Sequence, residues 1–231
     1  MLRWYRRLPW ARTSRLSPAF SGFLGDYSGF HESERVKGAW IYSKAGMSIT
    51  DLGKYNKVIL DPVVVYGGSG DVFKDIDPAA LQQAADDYHA ELASTLGTDY
   101  PVVTDPGPDV LHVRTALTGS IPKDPEHSIF SYIPVALVFR AGKAAANAAT
   151  DKEEIQVDVT MEMDFMDSAS KERLMAAVDS RMAGKQSVEK SDPDYNAKTM
   201  DAAFRFWAKT IKDRLDEAHG KGAGDNQLYT E

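Results

Sequence analysis

The chain has 231 residues, 43% of them hydrophobic and 26% charged, with 17 Gly, 11 Pro and no Cys. That composition suits a globular domain with one substantial core, and the missing Cys excludes a disulfide framework, thiolate metal sites and thiol nucleophiles. The formal charge of −7 is uneven: five arginines (Arg3, Arg6, Arg7, Arg12, Arg15) precede the first acid, Asp26, leaving 22 basic against 34 acidic side chains in the rest, the wrong sign for a nucleic-acid footprint.

The first twenty residues, MLRWYRRLPWARTSRLSPAF, have the basic start of a targeting peptide without the ~7–15-residue apolar core of a secretory signal. They read as a disordered basic leader, an organelle transit peptide, or the product of a gene start placed wrongly; Trp4, Tyr5 and Trp10 among the arginines suit an anionic membrane interface. Residues 21–36 are an extended, Gly- and Ser-punctuated lead-in. A short strand is expected at 39–42 and a buried one at 57–66, KVILDPVVVY, bulged or at an edge because Pro62 cannot donate a ladder hydrogen bond.

A helix follows the loop GGSGDVFKDI, with Asp77 as its cap, Pro78 in its first turn and Gly97 in a left-handed conformation just past its end. Leu81, Ala85, Tyr88, Leu92 and Leu96 form its apolar stripe. Strands are expected at 100–104 and 110–118, separated by the turn Asp105-Pro106-Gly107-Pro108. Residues 132–149 stay open between strand, helix and apolar loop. The longest uncharged apolar run, 128–139, contains Pro134 and falls short of the ~18–20 residues of a membrane helix.

The clearest period-two pattern lies at 155–165, where Ile155, Val157, Val159, Met161, Met163 and Phe165 alternate with Gln156, Asp158, Thr160, Glu162 and Asp164. It predicts a long strand with one buried and one wet face. Leu174, Ala176, Val178 and Met182 continue on a return strand. A four-residue turn would set Asp164 opposite Arg173 and Asp158 opposite Asp179. After a polar loop at 184–196, a final helix over about 197–219 carries Met200, Phe204, Trp207, Ile211 and Leu215 on one face.

The order of elements implies an α+β fold: a mixed, largely antiparallel β-sheet of about five strands with two amphipathic helices packed on one face. The expected organisation is a leader (1–20), a lead-in (21–36), one domain (37–219) and a flexible tail (220–231).

Several strings, in order, carry a family resemblance: SGFLGDYS at 21–28, YNKVILDPVVVY at 55–66, ADDYHAEL at 85–92, DPGPDVLHVRTALT at 105–118, VDVTMEMDFMDSASKERLMAAVDSRMAG at 157–184 and AFRFWAKTIKDRL at 203–215. Together they resemble the domain-of-unknown-function 3313 family of bacterial envelope proteins. The resemblance implies a lipoprotein-like module on the periplasmic side of the outer membrane, with a signal peptide and an acylated Cys before the SGFLGDYS-like start. Here no Cys stands at that place. The resemblance implies no catalytic residues.

No chemical constellation is complete in the sequence. The five histidines (His31, His89, His112, His127, His219) form no H-E-x-x-H or His-x-His spacing. The Gly67–Gly70 loop lacks the Walker and dinucleotide spacings and is flanked by acids that repel phosphate. Asp158, Glu162, Asp164, Asp167 and Asp179 read as a solvated sheet face, or as a divalent-cation or general acid–base site. Phe206, about 100° round the helix from Trp207, is a candidate partner contact. No catalytic, cofactor-binding or metal-ligating residue is assigned, and no cofactor is expected. The expectation is a non-enzymatic envelope module that binds another envelope protein or self-associates, does not bind nucleic acid, and meets the membrane through a lipid anchor or the Arg-rich N-terminus. The alternative is a hydrolase with an acidic or metal-assisted site on the 157–182 hairpin.

Overall fold

Alternation at 158–166 puts two strands at the centre of the sheet, and the rest of the fold is arranged around that hairpin. A computed structural model describes residues 20–36, 38–67, 73, 78–118, 153–155, 158–182, 186–188 and 193–222. The elements are β1 (His31–Glu32), β2 (Trp40–Ser43), a 3₁₀ helix (Ile49–Lys54), β3 (Lys57–Leu60), β4 (Val64–Tyr66), α1 (Pro78–Gly97), β5 (Val110–Thr118), β6 (Glu153–Ile155), β7 (Asp158–Asp167), β8 (Arg173–Met182), β9 (Gln186–Val188) and α2 (Pro193–Ala218). Asp77, residues 132–149, His127 and the two chain ends lie outside the described residues.

Seven strands form one sheet in the order β1-β2-β8-β7-β5-β3, with β4 also paired to β5, while β6 and β9 make a separate two-stranded ladder. β3 and β4 run parallel to β5 and the other pairings are antiparallel. The α+β class and mixed sheet expected from the sequence are present, with seven strands in place of about five. Part of the difference is at Asp61-Pro62, which divides 57–66 into two short strands because Pro62 offers no N–H to the ladder. Residues 100–104 form no strand: they contribute a single bridge, Val58 to Val102. Pro101 there can only accept, from Val58 N at 3.1 Å. The long strand expected from 155 starts instead at Asp158, and Ile155 belongs to β6.

Both long helices cover one face of the sheet. On α1, Ala84, Ala85, Tyr88, Leu92 and Leu96 are buried, and on α2, Phe204, Trp207, Ile211 and Leu215. The Tyr88 ring stacks on Phe204 at 4.8 Å and meets Trp207 at 5.6 Å, which joins the helices. Gly97 is the last residue of α1 and has no left-handed φ, contrary to expectation. The chain reverses through further carbonyl bonds, Asp99 N and Tyr100 N both donating to Leu96 O, so no left-handed residue is required. The 3₁₀ helix sits so close to the end of α2 that a Cβ on Gly53 would lie 2.6 Å from the Ala218 carbonyl oxygen. No helix among the described residues is long and apolar enough to cross a membrane.

The opposite face is covered by the lead-in. Phe20, Phe23, Leu24, Tyr27 and Phe30 pack on Ala176, Val178, Trp40 and Tyr42, with Phe20 stacked on Tyr27 at 4.3 Å. This overturns the expected wet face of the hairpin: Thr160, Glu162 and Asp164 are 1%, 0% and 2% exposed.

Candidate functional site

The hairpin acids do not share one site. Residues of a strand alternate between faces, and in the observed register Met161 is opposite Asp179, Glu162 opposite Val178 and Asp164 opposite Ala176. Glu162 and Asp164 therefore point to the lead-in, while Asp179 points to the helices, where its carboxylate accepts from Trp207 Nε1 at 2.8 Å. The expected opposition of Asp158 and Asp179 does not occur, because Asp158 pairs with Met182. The reason is the turn. Asp167 N donates to Glu172 O at 3.0 Å and Lys171 N to Asp167 O at 2.8 Å, with Lys171 at φ 62° and a register shift at Phe165/Met166. The Asp167 carboxylate accepts from Ala169 N and Ser170 N, and the Ser170 backbone bond, helped by the Tyr55 and Ser170 hydroxyls, holds it well below the usual carboxylate range. The expected Asp164–Arg173 pair does form, but across the diagonal, with Arg173 Nε and an Nη 2.8 and 3.2 Å from the two carboxylate oxygens.

These buried acids hold the lead-in. Glu162 accepts from Ser21 N at 2.7 Å and from the Tyr27 hydroxyl at 2.5 Å. Arg173, fixed by Asp164, donates onward to Leu24 O at 2.6 Å and Asp26 O at 3.0 Å. Arg114 lies 3.6 Å from Asp164 and 5.1 Å from the centre of the Phe23 ring. SGFLGDYS is thus a latch segment whose backbone and phenol are read by one carboxylate and one guanidinium of the hairpin.

Burial, and then its hydrogen bond to Glu162, pushes the Tyr27 phenol up to about 12. An unfolded tyrosine ionises near 10. The stability this linkage contributes is therefore fully present below about pH 10 and is lost as pH rises towards 12. Urea midpoints of wild type and Tyr27→Phe are expected to converge between about pH 10 and 12, because phenylalanine has no proton to lose. A constant difference across that range would rule out the linkage.

The histidines are dispersed. His31 lies on edge strand β1, His89 on α1, and His219 Nδ1 is 2.7 Å from Leu215 O at the end of α2. The sequence did not single out an acid–imidazole pair that the described residues contain, His112 Nε2 at 2.7 Å from Asp61 Oδ1. Its two members come from β5 and from the break after β3, 51 residues apart. Among the described residues no three His, Asp or Glu side chains are grouped to hold a metal ion.

Among the described residues two surfaces stand out. One is the β4 edge, where Val64 and Tyr66 are 42% and 37% exposed and Tyr66 is 5.9 Å from the Phe23 ring of the latch. The other is a cavity of about 470 Å³ between α2, the 3₁₀ helix and the β2–β8–β7 part of the sheet. Ile41, Met163, Met175, Ala177, Trp207 and Ile211 wall it, and Glu34, Arg35 and Arg214 lie along its rim. Periodicity could not reveal it, since its lining is drawn from separate elements. Phe206, the expected partner contact, is 8% exposed and belongs to the core. The hairpin face and Phe206 are both corrections to the sequence-based site. Residues 68–72 of the Gly-rich loop lie outside the described residues.

The fold and latch define an α+β module whose N-terminal segment is bound across its own sheet. The chain belongs to the family described as "Protein of unknown function (DUF3313)", which matches residues 19–211. A curated relative, the uncharacterized lipoprotein YdcL of Escherichia coli K12, is 24% identical over 159 residues, 69% of each chain. Among solved structures, a PelC dodecamer from Paraburkholderia phytofirmans is similar at a TM-score of 0.36 and 9% identity, covering 73% of this chain and 94% of that one.

Proposed function

We propose that this chain is a non-enzymatic module of the cell envelope, held on the periplasmic side of the outer membrane, which binds another envelope protein or assembles with copies of itself. The observation that carries this reading is the latch. Any tether preceding residue 20 enters the fold through Ser21, Leu24 and Tyr27, which are bonded to the central hairpin by Glu162 and Arg173. A membrane-proximal attachment would thus be seated in the middle of the sheet. The lipoprotein relative supports the envelope location. The non-enzymatic reading is supported by how three of the acids are used: Glu162 and Asp164 are bonded to the latch system on one face and Asp179 to Trp207 on the other, so these three do not converge on one cleft. The exposed β4 edge is the surface offered to a partner, since an edge strand presents unpaired backbone groups beside its side chains.

The test is fractionation of a Gram-negative host expressing the complete gene, combined with a photocross-linking residue at position 66. The expected result is recovery with the outer membrane, protease sensitivity only after that membrane is permeabilised, and a discrete cross-linked species. Recovery in the cytoplasm would overturn the location, and the lack of any adduct from position 66 would overturn the docking edge.

A further inference from the structure

We propose that the cavity under α2 binds a single-chain amphiphile with a zwitterionic phosphate head, the chemistry of a lysophospholipid. The inference is independent of the envelope reading and rests on the shape and charge of the cavity.

Ligand pockets of ~300–1,000 Å³ with mostly apolar walls and a few placed polar groups are the usual form of small-molecule sites, and this one measures about 470 Å³. Its floor is made where β2 and β8 pair, Ile41 opposite Ala177 and Ser43 opposite Met175. Small side chains at 43 and 177 leave open a space that larger apolar residues would close. Burying an acyl chain against these walls is favoured by the apolar area it removes from water. Met163, Met175 and Phe165 line it as well, and thioether side chains adapt readily to a flexible chain.

The rim specifies the head. Arg35 Nη1 is 2.8 Å from Glu217, and Arg214 Nη1 is 2.7 Å from the same carboxylate. Two guanidiniums thus share one carboxylate, and with Glu34 beside them the rim carries two positive and two negative charges, Arg35 being 61% exposed. Guanidinium forks suit phosphate oxygens. Glu34, exposed on the same rim, supplies the opposite charge for an ammonium group. A zwitterion satisfies both, whereas a simple carboxylate leaves Glu34 unmatched and is repelled by it.

The experiment is calorimetric titration of the full chain with myristoyl lysophosphatidylethanolamine below its micelle concentration. One site per chain is expected. Ala177→Trp, which fills the floor, should abolish binding, and Arg35→Glu should weaken it by about tenfold or more, as expected for loss of a charge-assisted contact. Myristate should bind more weakly than the zwitterion. Absence of saturable binding to wild type, or equal affinity in wild type and Arg35→Glu, would overturn the site. Myristate binding as tightly as the zwitterion would overturn the head assignment. Circular dichroism checks that Ala177→Trp folds; if it does not, the exposed Arg35→Glu change decides the question alone.

Discussion

An Asp164→Ala protein is expected to lose about 2–4 kcal/mol of unfolding free energy, because removing one member of a buried ion pair strands the other charge. The Asp164 side chain is 2% exposed and that of Arg173 23%, so the guanidinium recovers some hydration and the loss falls below that of a wholly buried pair. The effect extends to the latch. Arg173 holds Leu24 O and Asp26 O in the geometry that Asp164 imposes, so residues 20–30 should become the first site of limited proteolysis. Equilibrium urea unfolding of Asp164→Ala, Arg173→Ala and the double variant measures the coupling. Strict additivity of the single losses would show that the pair does not act as a unit.

Trp207→Ala is expected to cost about 3–5 kcal/mol, the usual range for deleting a buried aromatic side chain. The residue is 1% exposed, meets the Tyr88 ring at 5.6 Å and donates to Asp179 at 2.8 Å. Its removal therefore opens the joint between α1 and α2 and takes a hydrogen-bond donor from a carboxylate that is 3% exposed. Trp207→Phe should cost less, since it keeps the ring packing and loses only the indole N–H and some volume. Urea midpoints of the two variants separate these contributions, and a loss below about 1 kcal/mol in Trp207→Ala would contradict the packing described for α2.

The two helices were readable because their signals are local. Tyr88, Leu92 and Leu96, and Phe204, Trp207, Ile211 and Leu215, recur at helical spacing and are buried as that spacing requires. β5 is also found where Val, Leu and Thr predict it, at Val110–Thr118. The hairpin was readable as a pair of strands, but its turn was not. Six residues, from Asp167 to Glu172, close it with carboxylate-to-backbone bonds, and the registers of Asp158 and Asp179 move with that choice. Phe206 shows the limit of helical angles: being about 100° from Trp207 places it on a flank, and only the packing of α2 made that flank part of the core.

The largest difference concerns the polar side of β7. Alternation in a strand states that its two faces differ, and Thr160, Glu162 and Asp164 are residues that water normally covers. What covers Glu162 here is a segment 135–141 positions earlier in the chain, through Tyr27 and Ser21, and Asp164 meets the same segment through Arg173. No window along the sequence spans that distance, and the polar character of Ser21, Tyr27 and Asp26 concealed that they complement a buried carboxylate and guanidinium.

By itself the sequence determined the α+β class, the apolar faces of both helices, the central hairpin and the acidic balance of the chain, since each depends on spacing between near neighbours. Only the tertiary structure decided that the hairpin acids divide between two faces, that SGFLGDYS is bound by them, and that a cavity lies beneath α2. Each of those depends on which distant groups meet, and burial changes a carboxylate from a solvated charge into a required hydrogen-bond acceptor only after they have met.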